Sequence, residues 1–244
     1  MKHVFLMLSI ALVVSGCATV QNLHEESKTV YLGLTWDAFA VVADGEIKFY
    51  TTRGDKLEER TFILPDGYTS VVGFDIVNIG VVTGNSMTFY TYTAANGWRE
   101  LPSGYFTLPN GYTDVVGFNQ NTMGVVVGNT LIYYMYVQSW MERLSREFTL
   151  PNGFESVIGL APQDLDVEMI GVISDNTLKR YVFFDGRWQE TEDPDFILPE
   201  NYIAVIGLGP QSFGVIIGNA LKLYEYWDDQ VGFVERNWDG FAFD

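Results

Sequence analysis

Phe62-Ile-Leu-Pro65, Val71-Val-Gly-Phe74, Ile79-Gly-Val-Val82 and the dipeptide Gly84-Asn85 follow one another in a stretch that the chain then repeats. The first motif returns as Phe106-Thr-Leu-Pro109, Phe148-Thr-Leu-Pro151 and Phe196-Ile-Leu-Pro199, at intervals of 44, 42 and 48 residues. The second returns as Val115-Val-Gly-Phe118, Val157-Ile-Gly-Leu160 and Val205-Ile-Gly-Leu208, with Tyr31-Leu-Gly-Leu34 as a further copy at the front. The third returns as Met123-Gly-Val-Val126, Ile170-Gly-Val-Ile173 and Phe213-Gly-Val-Ile216, preceded by Phe39-Ala-Val-Val42. Turn dipeptides follow each time: Asp44-Gly45, Gly84-Asn85, Gly128-Asn129, Asp175-Asn176 and Gly218-Asn219. These are residues that bear the positive φ of two-residue hairpins best.

Two more segments complete the unit. One carries Tyr at a repeating place (Tyr50, Tyr90, Tyr134, Tyr181, Tyr224), and the last opens on an aromatic-x-Glu triplet. That triplet is Trp98/Glu100, Trp140/Glu142, Trp188/Glu190 and Phe233/Glu235, and the segment is expected to run on as one strand into Phe-x-Leu-Pro. Four short strands, β-branched and aromatic, in about 43 residues are the signature of propeller blades. The first two strands are apolar at nearly every position, as inner strands covered on both faces require. No stretch keeps a helical period with caps, so essentially no helix is expected. The fold expected is all-β: a five-bladed β-propeller of four-stranded antiparallel blades, at about 30–65, 66–109, 110–151, 152–199 and 200–244. The chain starts on an inner strand and ends on an outer one, so blades 1 and 5 would close the ring without sharing a strand.

Ahead of the repeats, Lys2 and His3 precede an apolar run that ends in Val14-Ser15-Gly16-Cys17. Residues 1–16 form a signal peptide whose apolar run is too short to cross a bilayer as a mature helix. The tetrad resembles the bacterial lipobox. The resemblance implies cleavage before Cys17, lipidation of Cys17, and a lipid bilayer as partner through the acyl anchor. Ala18, rather than Asp, implies sorting to the outer membrane where the cell has one. Residues 17–29 then form a polar tether, able to reach about 40 Å when extended.

The formal charge of −17 disfavours nucleic acid as a partner. The only histidines are His3 and His24 and the only cysteine is Cys17, so the repeat domain has neither residue type. Disulfides, thiolate nucleophiles, Ser-His-Asp triads, haem ligation and ordinary zinc sites are thereby excluded from it. No cofactor and no metal site is expected. The acidic segment 164–168 lacks the ligand spacing and the turn glycine of an EF-hand.

If the strands of a blade alternate in direction, the B–C turns and the D–A loops share one face. That face carries Asn85, Asn129, Asn176 and Asn219 together with Tyr68, Tyr112, Phe154 and Tyr202. Aromatic rings and amides repeated around a ring suit a multivalent glycan. Turn geometry and packing between blades account for the same residues and are the reading put first. The opposite face has loops of unequal length, around 161–169 and 227–232. The architecture resembles the five-bladed lectin propellers of the tachylectin-2 type, in blade number and repeat length alone. The Trp-Asp and Gly-His marks of WD40 blades are absent.

Five-bladed glycosidases place acids on inner strands. The inner-strand cores here hold none, and the nearby Asp37, Asp75, Asp114 and Glu155 occupy different places in the repeat. The expectation is a non-catalytic envelope binding protein, lipid-anchored, that recognises a glycan or an envelope protein through a loop face. A scaffold for envelope protein assembly and a glycosidase using loop carboxylates are the alternatives. Because the tether leaves on the repeated face, the variable face would look away from the membrane.

Overall fold

The computed structural model describes residues 29–52, 55–57, 60–101, 104–160, 168–227, 232–236 and 241–242. The expected signal peptide, Cys17, the expected tether up to residue 28 and most of the acidic segment 164–168 lie outside the described residues. Five antiparallel sheets follow one another along the chain and form a five-bladed β-propeller. Blade 1 is β1 (Val30–Thr35), β2 (Ala38–Ala43), β3 (Glu46–Thr51) and β4 (Phe62–Ile63). Blade 2 is β5 (Ser70–Gly73), β6 (Asn78–Thr83), β7 (Ser86–Thr93), β8 (Gly97–Glu100) and β9 (Phe106–Thr107). Blade 3 is β10 (Tyr112–Asn119), β11 (Thr122–Val127), β12 (Thr130–Tyr136), β13 (Trp140–Glu142) and β14 (Phe148–Thr149). Blade 4 is β15 (Ser156–Gly159), β16 (Glu168–Ser174), β17 (Thr177–Phe184), β18 (Arg187–Glu190) and β19 (Phe196–Ile197). Blade 5 is β20 (Tyr202–Gly209), β21 (Ser212–Ile217), β22 (Ala220–Trp227), β23 (Gly232–Glu235) and β24 (Phe241–Ala242).

The outer strand differs from the single run expected of it. In blade 2, β8 pairs with the far half of β7 and β9 with its near end, Ser86 and Met87. Between them the Leu101 amide still bonds the Phe89 carbonyl, and the Gly104 amide closes a turn on the Leu101 carbonyl. The same break recurs in blades 3 to 5. In blade 3 it is a 3-10 turn, Leu144–Arg146. That turn brings Arg146 to the Phe183 ring of the next blade.

Burial follows from the apolar inner strands. The core divides into five clusters, each shared by two neighbouring blades. Along β1, Leu32 and Leu34 pack toward blade 2 while Tyr31 packs toward blade 5. Burying one such side chain contributes about 1.5–3 kcal/mol, and both faces of every inner strand are used. Blades 1 and 5 each draw their strands from one end of the chain, so the ring closes by face-to-face packing of β1 on β20, with no shared strand.

The glycine of each Φ-Φ-Gly-Φ motif explains how closely the inner strands approach. A Cβ on Gly33 would lie 1.9 Å from the Gly207 carbonyl oxygen. On Gly207 it would lie 1.8 Å from that of Gly159, on Gly159 2.1 Å from that of Gly117, and on Gly117 2.0 Å from that of Gly73. A Cβ on Gly73 would lie 3.0 Å from the Gly33 oxygen, which completes the circuit. Neighbouring inner strands thus touch backbone to backbone, and not even a methyl group fits between them.

Candidate functional site

The face with the B–C turns and D–A loops is built as the repeat implies. Thr83 pairs with Ser86 across Gly84-Asn85, a two-residue turn in which Gly84 carries the positive φ of 57°. In blade 4 Asp175 and Asn176 both take positive φ, at 49° and 57°. The Leu of each Phe-x-Leu-Pro motif donates its amide to the turn below it: Leu108 to Asn85, Leu150 to Asn129, Leu198 to Asn176 and Leu64 to Gly45. Around this face the four aromatics enter the inter-blade cores. Tyr68, Tyr112 and Phe154 are half-buried against them and Tyr202 is buried. The Tyr112 hydroxyl donates to the Gly84 carbonyl at 2.6 Å. The Tyr202 hydroxyl donates to Glu155 at 3.3 Å, and its pKa is pushed up to about 12, by burial first and then by that carboxylate. Asn85 and Asn129 are exposed, and their amides donate to Asn110 and Asn152 at 3.3 and 3.4 Å. Asn176 and Asn219 are exposed beside their turns. The structure thus gathers all eight residues on one rim, with the four rings packed against the inter-blade cores.

The aromatic-x-Glu triplet has a cross-strand purpose. Glu142, Glu190 and Glu235 lie opposite Tyr134, Tyr181 and Tyr224 and accept their hydroxyl protons at 3.3 to 3.4 Å. The four acids considered for catalysis are dispersed. Asp37 accepts from Thr35, and Asp75 holds the Val77 amide and the Asn78 side chain, both in A–B turns. Glu155 serves Tyr202 and the Asp175 amide on the other face. Asp114 is buried in β10, where its carboxyl accepts from the Val115 amide and burial raises its pKa well above the usual carboxylate range.

Three equivalent outer grooves between blades, on the side of the A–B turns, are each filled by a guanidinium. Between blades 1 and 2, Arg60 lies 5.3 Å from the Tyr92 ring centre and donates to the Ile76 carbonyl at 3.1 Å. Between blades 3 and 4, Arg146 lies 4.8 Å from the Phe183 ring and pairs with the buried Glu168, which also accepts the Tyr133 hydroxyl at 2.5 Å. Burial and that carboxylate both raise the Tyr133 pKa. Between blades 4 and 5 the cation comes from β17: Arg180 lies 4.6 Å from the Tyr226 ring, donates to the Pro210 carbonyl at 3.3 Å and pairs with Asp193.

The groove between blades 2 and 3 has the same walls without the cation. Gly104 stands where the repeat has Arg60 and Arg146, and Phe89 stands where it has Arg180. A cleft of about 240 Å³ results, lined by Asn78, Phe89, Leu101, Gly104, Gln120, Asn121, Tyr136 and Trp140. Tyr136 and Trp140 lie 5.5 Å apart, and Trp140 stacks on Phe89 at 4.9 Å. The indole N–H of Trp98 bonds the Arg60 carbonyl at 2.7 Å, and that of Trp188 bonds the Arg146 carbonyl at 2.8 Å. The buried indole nitrogen of Trp140 has no such partner. Among the described residues no cluster of His, Cys, Asp and Glu suits a metal ion.

No family model matches this chain. No curated protein sequence matches it either. Solved structures of similar shape include Kluyveromyces lactis Hsv2, 10% identical, covering 89% of this chain and 81% of that one with a TM-score of 0.48. U3-55K is 11% identical and covers 93% of this chain and 85% of that one, with a TM-score of 0.47. The extracellular domain of the putative one component system BT4673 from B. thetaiotaomicron is 16% identical and covers 90% of this chain but 29% of that one, with a TM-score of 0.40. At these identities no residue and no activity passes to this chain.

The cleft was not among the sequence expectations. Its signal was present in the repeat: Arg60 and Arg146 stand two residues before the Phe of their Phe-x-Leu-Pro motifs, and Gly104 departs from them. Only the three-dimensional contacts say what that arginine does.

Proposed function

We propose that this protein is a non-catalytic binding protein of a bacterial envelope, anchored by lipid on Cys17, and that it holds a protein partner on the face of the A–B and C–D loops. The observation that carries this is the neutral, aromatic cleft between blades 2 and 3, which lies on that side. The chain enters the ring on the other side, since Val30 pairs with Val42 just before the Asp44-Gly45 turn. A short tether therefore turns the repeated rim to the bilayer and the cleft away from it. The dispersal of the acids and the use of both faces of every inner strand in packing speak for binding rather than glycoside hydrolysis. Clefts of aromatic walls and a few amides are the usual form of binding sites.

A glycan is the second reading, favoured by the three side-chain amides that accompany Phe89, Tyr136 and Trp140 in the cleft. The test is site-specific photo-crosslinking in intact cells, with the label at Gln138 beside the cleft and, separately, at Asn85 on the repeated rim. A discrete protein adduct from Gln138 and none from Asn85 is the expected result. Adducts from Asn85 alone would overturn the assignment of the face. No adduct from either, with saturable binding of envelope glycan fragments to the full chain in detergent, would replace the protein partner by a sugar.

A further inference from the structure

We infer that the cleft between blades 2 and 3 is a receptor for the guanidinium of an arginine side chain presented by the partner. This rests on the binding role proposed above and names the chemistry of that site. The protein itself displays the bound state three times. In three of the other four grooves a guanidinium lies 4.6 to 5.3 Å from the aromatic ring two residues beyond the repeated Tyr, namely Tyr92, Phe183 and Tyr226, while blade 1 has Thr52 at that place and no ring. Tyr136 is the same ring in the cleft. The cation's hydrogen bonds go to the A–B turn, to the carbonyls of Ile76 and Pro210 or to the carboxylate of Glu168. Gln120 and Asn121 occupy the corresponding turn positions in blade 3 and line the cleft.

The chain cannot supply its own cation here. Gly104 has no side chain, and a Cβ on it would lie 2.6 Å from Cβ of Phe89, so this segment is packed against β7 in a way that excludes a longer residue. A planar, weakly hydrated guanidinium suits the face of the Tyr136 ring and a backbone carbonyl better than an ammonium does. The chain's charge of −17 draws cations to its surface. Among the described residues no carboxylate lines the cleft, since Asn121 stands where blade 4 has Glu168, so the site is left without an ion pair and a single side chain binds weakly.

The experiment titrates the full chain in detergent with acetyl-Gly-Arg-Gly-amide, following the Trp140 indole N–H by NMR, with citrulline and lysine peptides and agmatine as comparators. The arginine peptide is expected to shift that signal saturably and to bind about tenfold more tightly than the uncharged citrulline peptide, the difference a desolvated cation–π contact supplies. Asn121→Glu, which restores the carboxylate of blade 4, should tighten arginine binding about fivefold to tenfold, and Asn121→Lys should abolish it. The Asn121 backbone carbonyl keeps its bond from the Tyr136 amide in both variants, so folding is retained. Equal binding of arginine and citrulline peptides, or no response to Asn121→Glu, would overturn the inference. Tighter binding of agmatine than of the peptide would overturn the partner protein as its source. A persistent protein crosslink at Gln138 with no arginine binding would discard the guanidinium and keep the binding role. Loss of both would discard the two together.

Discussion

The grooves on either side of blade 3 are made from the same repeat and have opposite contents. On the blade 4 side, Arg146 fills the space, its carbonyl takes the Trp188 N–H, and Glu168 and Tyr133 close a buried polar network around its guanidinium. On the blade 2 side, Gly104 leaves the space open, Asn121 replaces the carboxylate, and the Trp140 N–H has no partner. One groove has become core and the other a cleft. In a repeat protein, a site arises as readily by deleting an internal side chain as by adding a functional one.

Four substitutions break or sharpen this comparison. The largest effect is expected from Arg146→Ala, which leaves the buried Glu168 carboxylate with the Tyr133 hydroxyl but no cation and should cost about 3 kcal/mol in denaturant unfolding. A cost within about 0.5 kcal/mol would mean that the filled groove is no more cohesive than the open one. Next is Asp114, which occupies the place in the repeat held by Ser70 in blade 2. Burial raises its folded pKa above the unfolded value, so the folded state binds the extra proton and stability falls as pH rises from about 4 toward the raised folded pKa. Asp114→Asn should remove that slope and stabilise the protein at pH 7 by about 1–3 kcal/mol. An unchanged pH profile of the unfolding midpoint would show that the carboxyl is solvated.

The two smaller effects form a matched pair. Trp188→Phe forfeits a made hydrogen bond and should cost about 1 kcal/mol beyond the loss of packing. Trp140→Phe forfeits none, so its cost should be smaller by about that 1 kcal/mol when both are measured by the same denaturant titration. Equal costs would show that the Trp140 N–H has a partner after all.

Much of the architecture was legible in the chain. The recurrence of Φ-Φ-Gly-Φ, the Gly-Asn turns and the Tyr segment gave strand order, turn positions and blade number, because β-branched runs and two-residue turns express local preferences. The broken outer strand was legible only in part. Pro102-Ser103-Gly104 are turn residues between Glu100 and Phe106, but Arg143-Leu-Ser-Arg146 in blade 3 carries no such signal, and the break there shows only when β12 bonds the Arg143 amide and then releases the chain. The Tyr68, Tyr112, Phe154 and Tyr202 rim was found as a set. Whether those rings face outward or into the blades depends on neighbours supplied by the next repeat.

The sequence by itself determined that this protein is five blades in a row, with the same residues at the same turns. Tertiary structure alone decided two matters. The glycines of the inner strands proved to be contacts with the backbone of the adjoining blade, visible only once the ring is closed. In blades 1 and 3 the residue two before the Phe-x-Leu-Pro phenylalanine, Arg60 and Arg146, proved to be a plug whose socket belongs to the following blade. Both rest on the same physical fact: every face of a propeller blade is completed by another blade, about 40 residues away in the chain or, where β1 meets β20, from its opposite end, and no local preference records whether that segment's space is filled.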